Sequence, residues 1–129
     1  MDAAEAIAEL LELSSHVEAA VVLEPSGVVV ASSFADDGRA NALARRALDV
    51  VAAAGGLRRQ GARVTRVEAR FEEGSLIVVS EDERLAAAAT VPDPPFALVA
   101  YDLRNALRAS AAPPPKPRRP RKPKAPADA

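Results

Sequence analysis

Ser14-Ser15-His16 is where nucleophilic chemistry would have to begin, because His16 is the only histidine in the chain. A serine nucleophile needs an oriented base within hydrogen-bond reach. Adjacent residues at a helix end do not point at one another. A solvated helix terminus is therefore the expected role of this tripeptide. There is no cysteine, which removes a thiolate nucleophile, a disulfide framework and a thiolate metal site. Asp36-Asp37 and Glu72-Glu73 are paired carboxylates, but one pair precedes an apolar-periodic run and the other sits at a turn. They are expected to cap and to solvate. Gly55-Gly56, with Gly61, follows a helix and not a strand, so it is no dinucleotide loop. Residues 1–112 contain no lysine and the chain has no G-x-x-x-x-G-K-[ST], so it is not itself a phosphate-loop GTPase. The chain is expected to be no enzyme, with no catalytic residue, cofactor or metal.

Chemistry of another kind is concentrated at the C-terminus. Pro113 to Ala129 holds seven of the eleven prolines and all three lysines. Lys116, Arg118, Arg119, Arg121, Lys122 and Lys124 face a single acid, Asp128. Residues 1–112 carry 11 arginines against 17 carboxylates, a net charge of -6, while the tail carries +5. Two objects are expected: a domain over 1–112 and a disordered Pro/Lys/Arg-rich tail over 113–129. In polyproline II form the tail would reach on the order of 50 Å. It has no aromatic residue to stack on a base, so specific nucleic-acid recognition is not expected. An anionic partner (nucleic acid backbone, membrane surface or acidic protein) remains open to it. The acidic domain should attract the arm at low salt and release it at physiological salt. No run is apolar and long enough to span a bilayer, the N-terminus lacks a signal-peptide pattern, and a cytoplasmic location is expected.

The elements that position these residues follow from periodicity. Asp2 and Glu5 fit a capping box for a helix with Ala3, Ile7, Leu10, Leu11 and Ser14 on one face. Ala19 to Leu23 reads as a buried strand, Glu24-Pro25-Ser26-Gly27 as a turn, and Val28 to Ser32 as the returning strand. Asp36-Asp37-Gly38 opens a long helix reaching about Gln60. Thr65 to Glu72 alternates as a half-buried antiparallel strand, and Ser75 to Ser80 returns. Arg84 to Val91 is locally ambiguous, since Ser80-Glu81-Asp82-Glu83 before an alanine run resembles a helix cap. We expect a strand, because the preceding hairpin leads into one. Phe96 to Ala109 is a closing helix, with Leu98, Val99, Leu103, Ala106 and Leu107 inward.

The long helix has an unusually wide apolar arc. Leu57, Val50, Leu43, Ala54, Ala47, Ala40, Val51, Ala44 and Leu48 span about half its circumference at 100° per residue. That is more than one sheet needs: either the arc is a wide core face in an alanine-rich chain, or the helix also packs on a partner.

The order helix, hairpin, long helix, three strands, helix resembles the Roadblock/LC7 family over about residues 3–109. The residues that carry the likeness are the hairpin turn with Glu24 and Gly27, the Ala/Leu-rich helix, Leu76 to Val79, and Asp102 to Leu107. The resemblance implies an α+β fold, α-ββ-α-βββ-α, with a five-stranded antiparallel sheet and helices on both faces. It implies a homodimer built through the long helix and the strand after it: Leu43, Ala44, Ala47, Leu48, Val51, and Arg66, Val67, Glu68, Ala69, Arg70, Phe71, Glu72. It also implies a non-catalytic module that binds and regulates or scaffolds a small Ras-like GTPase, with Arg45, Arg46 and Asp49 on the partner side. The alternative is a dimeric tether whose basic tail does the binding. Self-pairing of the strand in the register centred on Ala69 would set Arg66 against Glu72 and Glu68 against Arg70, opposite charges throughout.

Overall fold

The first helix, α1 (Ala3–Leu13), starts as its sequence requires. The Asp2 carboxylate accepts the Glu5 N–H at 2.8 Å, and Glu5 Oε1 accepts the Asp2 N–H at 3.0 Å. Two donors that a helix start leaves unpaired are thereby satisfied. The structure, a computed structural model, describes residues 1–57 and 63–111. The whole tail 113–129, with its six cations, and Arg58, Arg59, Gln60 and Gly61 lie outside the described residues.

After α1 the chain forms β1 (Val17–Leu23) and β2 (Val29–Ser32), then α2 (Asp37–Gly55). Next come β3 (Arg66–Phe71), β4 (Gly74–Glu81), β5 (Arg84–Thr90) and α3 (Phe96–Ala111). The five strands make one sheet in the order β2-β1-β5-β4-β3, with every neighbour antiparallel. The expected α+β architecture is the one observed. Gly27 takes φ +100° at the β1–β2 turn, where its N–H donates to the Glu24 carbonyl at 2.8 Å; only glycine adopts that geometry without cost. Asp36 caps α2 by accepting from the Gly38 and Arg39 N–H groups.

Each sheet face has its own core. Ile7, Leu10, Val99, Leu103 and Leu107 of α1 and α3 pack on Ala20, Val22, Ile77, Val79, Ala86 and Ala88. On the other face, Ala40, Leu43, Ala44 and Ala47 of α2 pack on Ala19, Val21, Leu23, Leu76, Val78, Leu85 and Ala87. The segment that looked locally like a capped helix, Arg84–Thr90, is the central strand. It is paired to β1 on one side and β4 on the other. Ala86, Ala87 and Ala88 are fully buried, and their small side chains let helices approach from both faces. Pairing along two edges outweighs the helix preference of alanine, which is only tenths of a kcal/mol per residue.

Packing also fixes the start of β4 and the rotation of α3. Gly74 opens β4 so close to β5 that a Cβ there would overlap the Thr90 carbonyl oxygen. In α3 the expected inward Leu98 is half exposed, and Ala100 is buried in its place. The buried stripe runs through Val99, Leu103, Ala106 and Leu107, and Leu98 lies one step, about 100°, outside it.

Candidate functional site

The sheet has two edges, and β3 is one of them. Its α2-side residues are Val67 and Ala69, both half-buried, and Phe71, 60% exposed. The helix α2 covers β1, β5 and β4 with the narrow stripe Ala40, Leu43, Ala44 and Ala47. The rest of its apolar arc is left partly open: Leu48, Val50, Val51 and Ala54 are half-buried, and Leu57 is 87% exposed. Leu48, Val50, Val51 and Ala69 pack against the rim of the same core. Val50, Ala54 and Leu57 form an apolar strip on one flank of α2, and Val67, Ala69 and Phe71 add apolar surface on the same face of the edge strand β3; Leu48 lies at the other end of the arc, packed beside Gly27 at the β1–β2 turn. Isolated exposed apolar residues are ordinary, but a contiguous strip beside an unpaired edge is a docking feature.

The residues singled out from sequence therefore divide. Leu48 and Val51 lie toward the other end of the arc, where Leu48 packs beside Gly27. Leu43, Ala44 and Ala47 are already covered by the chain's own sheet, at 8%, 2% and 0% exposure. The reason is geometric: one helix over a twisted sheet buries only the middle of a half-circumference arc. Val50 and Leu57 take their place in the open strip. Both stand in the apolar arc visible in sequence, but which part of the arc is open depends on the helix rotation.

The opposite face of β3 carries Arg66, Glu68 and Arg70. Arg66 Nε contacts Glu68 Oε2 at 3.0 Å, and Arg70 reaches Asp93 at 3.6 Å. Arg70 also lies over the Phe96 ring, 4.5 Å from its centroid. Each of these charges thus has a partner within its own chain, whereas the sequence pattern pairs them across a two-fold axis. Glu72 is exposed and makes no ion pair among the described residues. Arg45, Arg46 and Asp49 are exposed on α2, on the side away from the sheet. They form a small charged patch that borders the apolar strip.

His16 is half-buried in the link between α1 and β1, where its carbonyl accepts the Val91 N–H at 3.0 Å. The Ser14 hydroxyl is buried and makes no hydrogen bond among the described residues, so no Ser–His pair is assembled. Among the described residues no group of three His, Asp or Glu side chains is placed to hold a metal ion. No described helix is long and apolar enough to cross a membrane. The surface chemistry on offer is recognition through an apolar strip, a backbone edge and a charged border.

A model of the Roadblock/LC7 domain matches residues 3–90. Among solved structures, a Roadblock/LC7 domain from Streptomyces avermitilis aligns with a TM-score of 0.74 at 19% identity, over 84% of this chain and 94% of that one. The gliding protein MglB from Thermus thermophilus aligns with a TM-score of 0.61 at 23% identity, over 84% and 85% of the two chains. Myxococcus xanthus MglB gives 0.66 at 16%, over 81% and 80%. At these identities the likeness is one of fold. No curated protein matches the chain.

Proposed function

The chain belongs to the Roadblock/LC7 family, and from that premise we propose that it is a non-catalytic interaction module that dimerises and holds a small Ras-like GTPase. The observation that carries the reading is the open apolar strip of α2 beside the unpaired edge of β3. A second copy placed about a two-fold axis covers both strips at once, because a two-fold interface uses the same patch twice. Joining two β3 edges also satisfies backbone groups that a lone sheet leaves to water. An MglB of the same fold is described in a tetrameric arrangement, which supports self-association. In the dimer the two α2 helices lie together, and Arg45, Arg46 and Asp49 of each copy present one continuous charged platform. That platform is where the GTPase sits, the exposed arginines meeting an acidic surface on it.

Two sets of substitutions test the reading separately. Leu57→Asp with Phe71→Asp places charge in the strip and should yield a folded monomer. Arg45→Glu with Arg46→Glu leaves the strip intact and should keep the dimer while abolishing capture of a small GTPase from the same genome. The capture is measured with GDP and with a non-hydrolysable GTP analogue. A charge-reversed dimer that still binds the GTPase removes the platform from the proposal. A monomeric parent chain removes the dimer.

A further inference from the structure

The other layer of the molecule carries a surface that GTPase binding and dimerisation leave unused. A groove of about 200 Å³ runs between α1 and α3, with Leu10 and Ala106 on its floor and the exposed Leu13 at its side. Glu9 from α1 and Asp102 from α3 both line it. Neither carboxylate has an ion-pair partner among the described residues. The cations of α3 are committed elsewhere: Arg104 and Arg108 both hold Glu81, at 3.4 and 2.8 Å. Helix α1 contains no basic residue at all and adds Glu5 and Glu12 to the same layer. The volume falls below the roughly 300–1,000 Å³ of a small-molecule site. An apolar floor and two carboxylates suit a chain segment that alternates proline rings with cations.

We propose that the groove between α1 and α3 binds the chain's own C-terminal segment, residues 112–129, prolines against Leu10 and Leu13 and cations against Glu9 and Asp102. The segment supplies the matching chemistry: seven prolines, six cations and one acid. Its attachment point is adjacent, since Ala109 lines the groove and α3 ends at Ala111. Its reach, about 50 Å if extended, exceeds the roughly 24 Å length of the 16-residue α3. Tethering makes the encounter intramolecular, with an effective concentration on the order of millimolar, so weak contacts suffice. The docked arm hides its own cations, and an anionic partner must compete for them with Glu9 and Asp102.

The full chain can be tested directly. Because it has no cysteine, Ala125→Cys provides a single thiol for a nitroxide label. Paramagnetic broadening of amide resonances should then concentrate on Glu9, Leu13 and Asn105, and should be absent at Asp49 on the opposite layer. Raising salt should remove it, and Glu9→Gln with Asp102→Asn, which keep side-chain shape, should abolish it while leaving the dispersed spectrum of the fold. Broadening that is absent at low salt, spread over both layers, or centred on the α2 carboxylates overturns the proposal. So does groove broadening that survives the two neutral substitutions. A mixture of isotope-labelled chain with unlabelled, nitroxide-bearing chain separates the copies. Broadening of the groove in that mixture assigns the arm to a second copy and overturns the intramolecular site.

Discussion

The Arg70 guanidinium stacks on the Phe96 ring at 4.5 Å from its centroid and reaches the Asp93 carboxylate at 3.6 Å. One arginine thereby ties the free edge strand β3 to the first turn of α3, across the end of the sheet. The edge is held from below by a residue that the sequence pattern assigns to a partner chain. That contact is exposed, so it is worth little by itself.

Arg70→Ala should cost about 0.5–1 kcal/mol of unfolding free energy, the range of an exposed cation–π contact. The double-mutant cycle with Phe96→Leu should show coupling of the same size, measured by urea denaturation. Additive effects of the two substitutions would mean that the stacking contributes nothing.

Gly74→Ala and Gly55→Ala should move stability in opposite directions. A methyl at Gly74 overlaps the Thr90 carbonyl oxygen, a backbone atom that cannot swing aside. The strands must shift, at about 1–3 kcal/mol. A methyl at Gly55 meets nothing within 4 Å, and this residue ends α2. Loss of unfolded-state freedom then stabilises by about 0.4–1 kcal/mol. Thermal melting of both variants decides the matter.

Sedimentation should report twice the 13.4 kDa chain mass. Ala47 is fully buried against the sheet, so Ala47→Arg should unfold the domain, since an unpaired buried cation costs several kcal/mol. Leu57→Asp should leave the circular dichroism spectrum unchanged and shift only the mass. If both variants lose structure, Leu57 is core and not surface.

A disulfide trap reads the register of β3. In the register centred on Ala69, Ala69→Cys should cross-link two chains, because the facing Cα atoms lie within about 7 Å. Cysteines at Glu68 or Arg70 should cross-link less. Reaching that register means trading the Arg66–Glu68 and Arg70–Asp93 contacts for pairs across the axis. Surface pairs of either kind are worth about 1 kcal/mol or less. The exchange is therefore nearly neutral, and backbone pairing with burial of Phe71 must supply the drive. Efficient trapping at 68 or 70 instead of 69 would place the axis elsewhere.

Much of this architecture is written locally. Asp2 with Glu5, Asp36 ahead of α2, and Glu24 to Gly27 each satisfy their own backbone groups through neighbours a few residues away. The alternation of Arg66 to Phe71 defines a two-faced strand without reference to anything else. The charge division at residue 112 is likewise a property of composition. Other features needed the assembled fold. Arg84–Thr90 has the look of a capped helix and becomes a strand only because β1 and β4 each offer a full edge for pairing. The apolar arc of α2 names nine candidates for burial, but the width of the sheet beneath it chooses Ala40, Leu43, Ala44 and Ala47 and leaves Leu57 outside. Leu98 turns outward because the axial rotation of α3 is set by Val99 and Leu103 fitting between strands. Arg70 finds Phe96 and Asp93, more than twenty residues away, because the order β5-β4-β3 carries the edge strand to the start of α3. Short-range hydrogen bonding and periodicity are properties of neighbours along the chain. Rotation, exposure and long-range pairing are properties of which surfaces meet, and only close packing of the whole domain decides those.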